Sequence, residues 1–464
     1  MNDLPGGQEP VLSTLNKDGS RRKLHPKLSK GAFFNYRRAF GYFLIALFTA
    51  IPYLSMNGKP LILLDLPRRE FTLFGTTFLP TETPLLMLLL VSIVVGVFLL
   101  TALFGRVWCG WACPQTVYME FLFRPIERLF EGPPGLRRQI DRGGISGRRL
   151  LKNLVFLLLS IFLTHTFLGY FVGVAELFQW VQRSPFEHPA AFLVMSIVTA
   201  MMFIDFVWFR EQMCIVACPY GRFQSVLLDR QSLIVGYDVA RGEPRGKLRR
   251  DAAAGEQGDC IDCRACVNTC PTGIDIRKGL QMECIGCTQC IDACDGIMDR
   301  IKKPRGLVRY TSQDELTGRG KRRLLRARTI AYPLLLITAV ALLSISLGKR
   351  AATDVTVLRA AGPPFRILAD GTITNQLKIK ISNRTSSEQK YKLEILQSDI
   401  KLVAPQNPLP VGAGKTETAI VFLMVPGKLF SAGELAVEFR ISARGLVDVK
   451  KSYRLLGPGK ATAP

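Results

Sequence analysis

Cys260-Ile261-Asp262-Cys263-Arg264-Ala265-Cys266-Val267-Asn268-Thr269-Cys270-Pro271 is one of two matching runs. Thirteen residues separate Cys270 from the second: Cys284-Ile285-Gly286-Cys287-Thr288-Gln289-Cys290-Ile291-Asp292-Ala293-Cys294. Each reads C-x2-C-x2-C-x3-C; Pro271 follows the first run, and Asp295 takes that place after the second. A cubane iron–sulfur cluster needs four thiolates around it. Three on a tight loop wrap one side, and in two-cluster ferredoxins the fourth Cys of each run serves the other cluster. The spacing therefore assigns Cys260, Cys263, Cys266 and Cys294 to one 4Fe-4S cluster, and Cys284, Cys287, Cys290 and Cys270 to a second. Structural zinc favours separated C-x2-C pairs instead. Such a segment moves single electrons, and nothing in it provides a substrate pocket of its own.

The surrounding chain is 464 residues with 48% hydrophobic and 21% charged residues and a net charge of +24. So much apolar content beside so much charge excludes a disordered chain and argues against a simple soluble globule. Five stretches lack charge for long enough, or nearly long enough, to cross a bilayer, which takes roughly 17–25 residues: Ala39–Met56, Pro84–Phe104, Asn153–Ala175, Pro189–Phe209 (broken only by Asp205) and Thr329–Gly348. Basic residues set the expected orientation. Arg21, Arg22, Lys23, Lys27, Lys30, Arg37 and Arg38 precede the first stretch; Arg106, Arg124, Arg128, Arg137, Arg138, Arg142, Arg148 and Arg149 follow the second. After the third there is only Arg183, and after the first Lys59, Arg68 and Arg69 are offset by Asp65, Glu70 and Glu82. The N-terminus and the two-cluster segment are thus expected in the cytoplasm, with the C-terminus outside. A reducing cytoplasm also disfavours disulfides among these cysteines. No cleavable signal peptide is read, because the first apolar stretch begins late and runs long. The basic excess is expected to orient the chain and touch anionic lipid; it lacks the patterns of a nucleic-acid binder.

Four further cysteines form a repeat. Phe104-Gly-Arg-Val-Trp-Cys109-Gly-Trp-Ala-Cys113-Pro114 and Phe209-Arg-Glu-Gln-Met-Cys214-Ile-Val-Ala-Cys218-Pro219 both end an inward-running helix, 105 residues apart. This is an internal repeat of a two-helix unit, and it places both pairs at one membrane depth. The proline after each second Cys suits the first turn of a new helix, whose N-terminus favours thiolate. Four gathered thiolates could hold Cu(I), hold a third iron–sulfur cluster, or cycle as dithiols. Met213 and Met119 are expected to pack rather than to ligate. Histidine is scarce: His25 in the tail, His165 at mid-membrane and His188 at an outer helix end argue against a bis-His haem.

From Lys349 the character changes. Asp354–Arg359, Gln376–Ser382, Lys390–Gln397, Thr418–Val425, Leu435–Ile441 and Lys450–Leu455 read as strands split by turn residues, a pattern of an antiparallel sandwich without a disulfide. The expected organisation is a basic tail (1–37), helices one to four with two C-x3-C-P motifs (38–228), a two-cluster ferredoxin insert (229–328), a fifth helix (329–348) and a periplasmic β-sandwich (349–464).

The combination of Trp108-Cys-Gly-Trp-Ala-Cys-Pro-Gln115, the second C-x3-C-P, the double ferredoxin run and five helices resembles the CcoG family, also called FixG or RdxA, from about residue 30 onward. Membrane polyferredoxins of the NapH type share the core but not the outer sandwich. The resemblance implies a multi-pass bacterial inner-membrane oxidoreductase with an immunoglobulin-like tail, needed to assemble cbb3-type cytochrome c oxidase by reducing Cu(II) to Cu(I). It implies Cys109, Cys113, Cys214 and Cys218 as the catalytic, copper-binding residues. The implied partners are a cytoplasmic electron donor, the copper ion with its transporter or chaperone, oxidase assembly factors and the bilayer. A homodimer is left open, and no nucleic acid is expected. Two alternatives stay beside this one: a quinol-linked electron-transfer subunit, and a non-catalytic assembly scaffold.

Overall fold

Among the described residues, four helices are long and apolar enough to cross a membrane: Thr83–Phe104, Gly147–Val172, Pro189–Phe209 and Ala327–Gly348. Large apolar side chains on them, such as Met87, Leu90, Ile93 and Ile337, are exposed, as lipid-facing surfaces are. Two of their buried hydroxyls are satisfied within the helix: Ser92 Oγ donates to the Leu88 carbonyl at 2.8 Å and Ser160 Oγ to that of Phe156 at 2.8 Å. Internal pairing of this kind is what a span requires, because lipid offers no partner. Polar Ser146 caps the start of Gly147–Val172, and Gly173 at φ 87° ends it before Ala175. A separate short helix, Val174–Val181, follows.

The first expected span is displaced. Its helix runs Ala32–Ala50, then gives way to a 3-10 turn at Ile51–Tyr53 and a strand at Ser55–Met56. Pro52 explains the end: it has no N–H to give the Phe48 carbonyl, which accepts from Tyr170 Oη instead. The seven-residue earlier start brings Arg37 and Arg38 into the helix, so this segment is not one of the four long apolar helices.

This structure is a computed structural model; it describes residues 13–14, 20–56, 59–66, 70–78, 82–143, 146–247, 257–323, 325–349, 351–385, 387–430, 433–445 and 448–458. Arg68 and Arg69, residues 1–12 of the tail and 459–464 of the outer segment lie outside the described residues. The chain divides into two units, Met1–Leu343 and Ser344–Pro464.

In the first unit, the segment with the double cysteine run is closed by Ile234–Tyr237 pairing antiparallel with Val308–Thr311. Ile274, Ile276, Met298 and Leu307 form its core beside the cysteines. The second unit is an immunoglobulin-like sandwich of two antiparallel sheets. In one, Thr372–Asn383 pairs with both Thr416–Pro426 and Thr353–Arg359; in the other, Glu434–Ala443 pairs with Gln389–Ile395 and Val449–Leu456. Leu377, Ile379 and Ile381, then Val421, Leu423 and Val425, then Val437, Phe439 and Ile441 are all buried. That is the period of two by which one face of each strand enters a shared core.

Candidate metal centres

Cys260, Cys263, Cys266 and Cys294 line one small cavity of the ferredoxin segment. Cys270, Cys284, Cys287 and Cys290 line a second, together with Ile274, Ile276 and Cys266, which borders both. The local backbone explains the wrapping. Asp262 and Gly286 occupy equivalent places in the two runs at φ 51° and 67°, as do Arg264 and Thr288 at φ 55° and 62°. These left-handed residues turn the chain sharply between successive cysteines. The helix Gln289–Arg300 carries Cys290 toward one cavity and Cys294 toward the other. Burial pushes the Cys287 and Cys294 thiols up to about 12 and Cys284 to about 11. Such thiols ionise when a cationic core offsets their desolvation, the usual coupling of metal binding to deprotonation. Cys263 alone among the eight is exposed.

The helix-end cysteines form a second gathering. Gly105 (φ 59°, ψ −131°) and Arg210 (φ 54°, ψ −120°) break their helices in the same unusual conformation, one repeat length apart. Cys109 and Cys214 follow four residues after each break, and Cys113 and Cys218 eight after. Cys113 and Cys218 are extended N-caps, with Pro114 and Pro219 opening the next helices. The repeat is inexact: Cys109 lies in an α-turn, Val107–Trp111, and Cys214 in a π-turn, Met213–Ala217. The four thiols sense one another: Cys113 and Cys218 act on Cys109, and all three others act on Cys214. Burial raises Cys109 to about 11 and Cys214 to about 12. It raises Cys113 as well, against the N–H groups of Thr116 and Gln115. The helix terminus expected to favour thiolate at Cys113 is present, but desolvation outweighs it. Cys109 Sγ donates at 3.0 Å to Oε1 of Gln224, a fully buried side chain whose Nε2 donates to the Gly105 carbonyl at 3.0 Å. Met119 packs with Phe123 and Phe206 in a hydrophobic cluster, and His165 Nδ1 lies 2.8 Å from the Ile161 carbonyl.

The two cysteine systems abut. A Cβ on Gly110 would meet the Ile285 carbonyl oxygen at 2.7 Å and the Cys287 nitrogen at 2.8 Å. Only glycine permits that approach. Trp111 Nε1 donates to Tyr310 Oη at 3.2 Å, and Tyr310 donates to the Gly286 carbonyl at 3.4 Å. Arg106 ties the junction, donating to the carbonyls of Gly221 and Met282. Among the described residues, no three Cys, His, Asp or Glu side chains converge closely enough for a single ion. Thiolates on one tetrahedral ion sit about 2.3 Å from it, whereas those on a four-iron cage spread around a larger core.

Much of the charge read as lipid-facing is internal instead. Arg124 and Arg137 are each 2% exposed. Arg210 makes two bonds to the Glu127 carboxylate, at 2.9 and 2.8 Å, and Arg137 adds a third at 3.1 Å. Burial alone would raise the Glu127 carboxyl; Arg210 overrides it and holds that group well below the usual carboxylate range. Lys152 pairs with Glu131 at 2.7 Å, and Glu211 lies between Arg21 and Arg124 at 3.2 and 3.6 Å. Gln224, Arg106 and Arg210 carry no sequence signal beyond residue type, because their partners lie far away along the chain.

Known proteins share this build. Residues 209–313 match the 4Fe-4S dicluster domain family, residues 86–133 a 4Fe-4S binding domain family, and residues 343–458 an IG-like fold at the C-terminus of FixG. The chain is 35% identical over 431 residues to protein RdxA of Cereibacter sphaeroides, covering 88% of this chain and 90% of that one. It is 34% identical over 447 residues to protein RdxB of the same organism, covering 92% and 93%. It is 32% identical over 417 residues to the nitrogen fixation protein FixG of Rhizobium meliloti, covering 81% and 79%. The dicluster match agrees with two cysteine-lined cavities: 4Fe-4S clusters are the cofactors of this electron-transfer protein.

Proposed function

The chain belongs to the FixG and RdxA family, and from that premise we propose that it is a membrane cupric reductase, delivering Cu(I) for assembly of a cbb3-type cytochrome c oxidase. Cys260, Cys263, Cys266 and Cys294 hold one cluster, and Cys270, Cys284, Cys287 and Cys290 the other. When bound, these clusters supply one-electron steps. Cu(II), the substrate, meets at most two of Cys109, Cys113, Cys214 and Cys218 at a time, since no three of them converge on one point. A low-potential one-electron donor loses an electron, Cu(II) gains it, and the soft Cu(I) product is matched to thiol sulfur. The observation that carries this reading is that the four helix-end thiols lie within electrostatic reach of one another, with the turn of Cys109 packed at Gly110 on the Ile285–Cys287 backbone.

Five crossings are proposed, the first by the helix Ala32–Ala50. Two contacts support it. Phe34 N donates to Asp292 of the ferredoxin segment at 2.7 Å. At the other end, the Phe48 carbonyl accepts from Tyr170 Oη at 2.6 Å, near the far end of the span Gly147–Val172. The helix therefore links the two ends of the bundle. Basic residues at the ferredoxin end favour that end as cytoplasmic, which makes the immunoglobulin-like unit periplasmic.

A second reading has an observation of its own. The 4Fe-4S family match over residues 86–133 includes Cys109 and Cys113, and it favours a third cluster on the helix-end thiols. Iron in anaerobically purified protein separates the two: about eight per chain for two cubanes and about twelve for three. The reductase reading is tested by reducing the protein, removing excess reductant and adding Cu(II). Cluster reoxidation should yield one chelator-trapped Cu(I) per electron. Reduced clusters that persist in the presence of Cu(II) refute it.

A further inference from the structure

Arg37 has no exposed surface, although the sequence places it in a basic tail. Its Nε donates to the Gly110 carbonyl at 2.9 Å. Its two terminal nitrogens, Nη1 and Nη2, are buried with no hydrogen-bond partner. The Phe121 ring covers the guanidinium, 5.6 Å from its carbon. A buried cation with unshared donors is strongly unfavourable unless negative charge faces it.

The charge of Arg37 reaches the two nearby acids, Glu120 and Asp292, but their oxygens are hydrogen-bonded to other donors. Glu120 is bonded to Arg124 and Gln289, and the Asp292 carboxylate accepts the amides of Phe33 and Phe34. On the remaining side lies the second cysteine run. Gly110, which Arg37 holds, packs on the Cys287 backbone, and the Arg37 charge acts on both the Cys287 sulfur and Tyr310. The first run has a different cation. Arg277 acts on Cys266, but it is paired with Asp275 at 2.7 Å and also with Asp262.

We propose that Arg37 sets the reduction potential of the cluster held by Cys270, Cys284, Cys287 and Cys290. Its positive charge and two donors without a hydrogen-bond partner favour the reduced core, so this cluster is the easier of the two to reduce. One-electron reduction adds one negative charge to the thiolate-ringed core. Net charge and hydrogen bonding to sulfur are the levers a protein has on such a potential. Electrons then collect at the cluster beside Cys109 rather than at the one beside exposed Cys263. The inference rests on the cluster assignment above. Iron content tests that assignment, whereas potentials test the role of Arg37.

The experiment is a dithionite titration of anaerobic full-length protein, followed by electron paramagnetic resonance. In Arg37→Gln the reduced-to-oxidised ratio of one cluster should fall about tenfold at a given potential, or about 59 mV for one electron, while the other cluster is unmoved. Arg37→Lys, which keeps the charge and loses the planar fork, should shift the same signal by less. Two unmoved signals, or two that shift equally, overturn the proposal. A second measurement needs no Arg37 variant. In the wild-type chain, the signal lost in Cys284→Ser should titrate at the higher potential and that lost in Cys263→Ser at the lower. The reverse order also overturns it.

Discussion

Gly110 and Cys287 meet backbone to backbone: a methyl group at Gly110 would stand 2.8 Å from the Cys287 nitrogen. The turn that carries Cys109 therefore rests directly on the loop that carries Cys284 and Cys287, with no side chain between them.

Gly110→Ala should pry this contact apart. Overpacking at such a site costs about 1–3 kcal/mol. Iron content should stay at the wild-type value while electron delivery to Cu(II) slows, read by stopped-flow reoxidation of reduced protein. An unchanged rate would mean that this contact is not on the electron's route.

Cys109→Ala and Cys214→Ala should leave the eight ferredoxin cysteines loaded with iron and abolish cupric reduction. Iron analysis and a Cu(I) chelator assay read the two properties separately. Full activity in both variants would remove these thiols from the reaction.

Glu127→Gln should destabilise the first unit by about 3–5 kcal/mol, because it strands Arg210 and Arg137 as buried, uncompensated charges. Unfolding in detergent, followed by helical circular dichroism, reads the loss. A variant as stable as the parent would show that solvent reaches this network.

The Ser344–Pro464 unit has a core of its own around Phe439, which is 0% exposed. Residues 349–464 should fold alone, and Phe439→Ala should cost them about 3–5 kcal/mol. Urea unfolding of the two fragments decides it.

What the sequence revealed follows the range of the interactions. The cysteine runs and the six main strands were legible because spacing and alternation are local patterns. The helix-end repeat was legible because each copy names its own turn: Cys, then Cys-Pro. The first helix starts seven residues before its apolar stretch because Arg37 is buried by contacts, the Gly110 carbonyl among them, that no local pattern records. The i,i+4 spacing of Glu120 and Arg124 is itself a local signal of their pairing, whereas nothing local joins Glu127 to Arg210, 83 residues on. Gln224 was invisible for the same reason: its partner Cys109 lies 115 residues away.

The Asp292 carboxylate receives the Phe33 and Phe34 amides across 258 residues of chain. This has a consequence for biosynthesis. At about 5–20 residues per second, the ribosome finishes Ala32–Ala50 on the order of tens of seconds before it makes the residue that pins the start of that helix. The nascent helix must wait for its anchor, and docking of the late-made segment closes the structure from both ends of its first 300 or so residues.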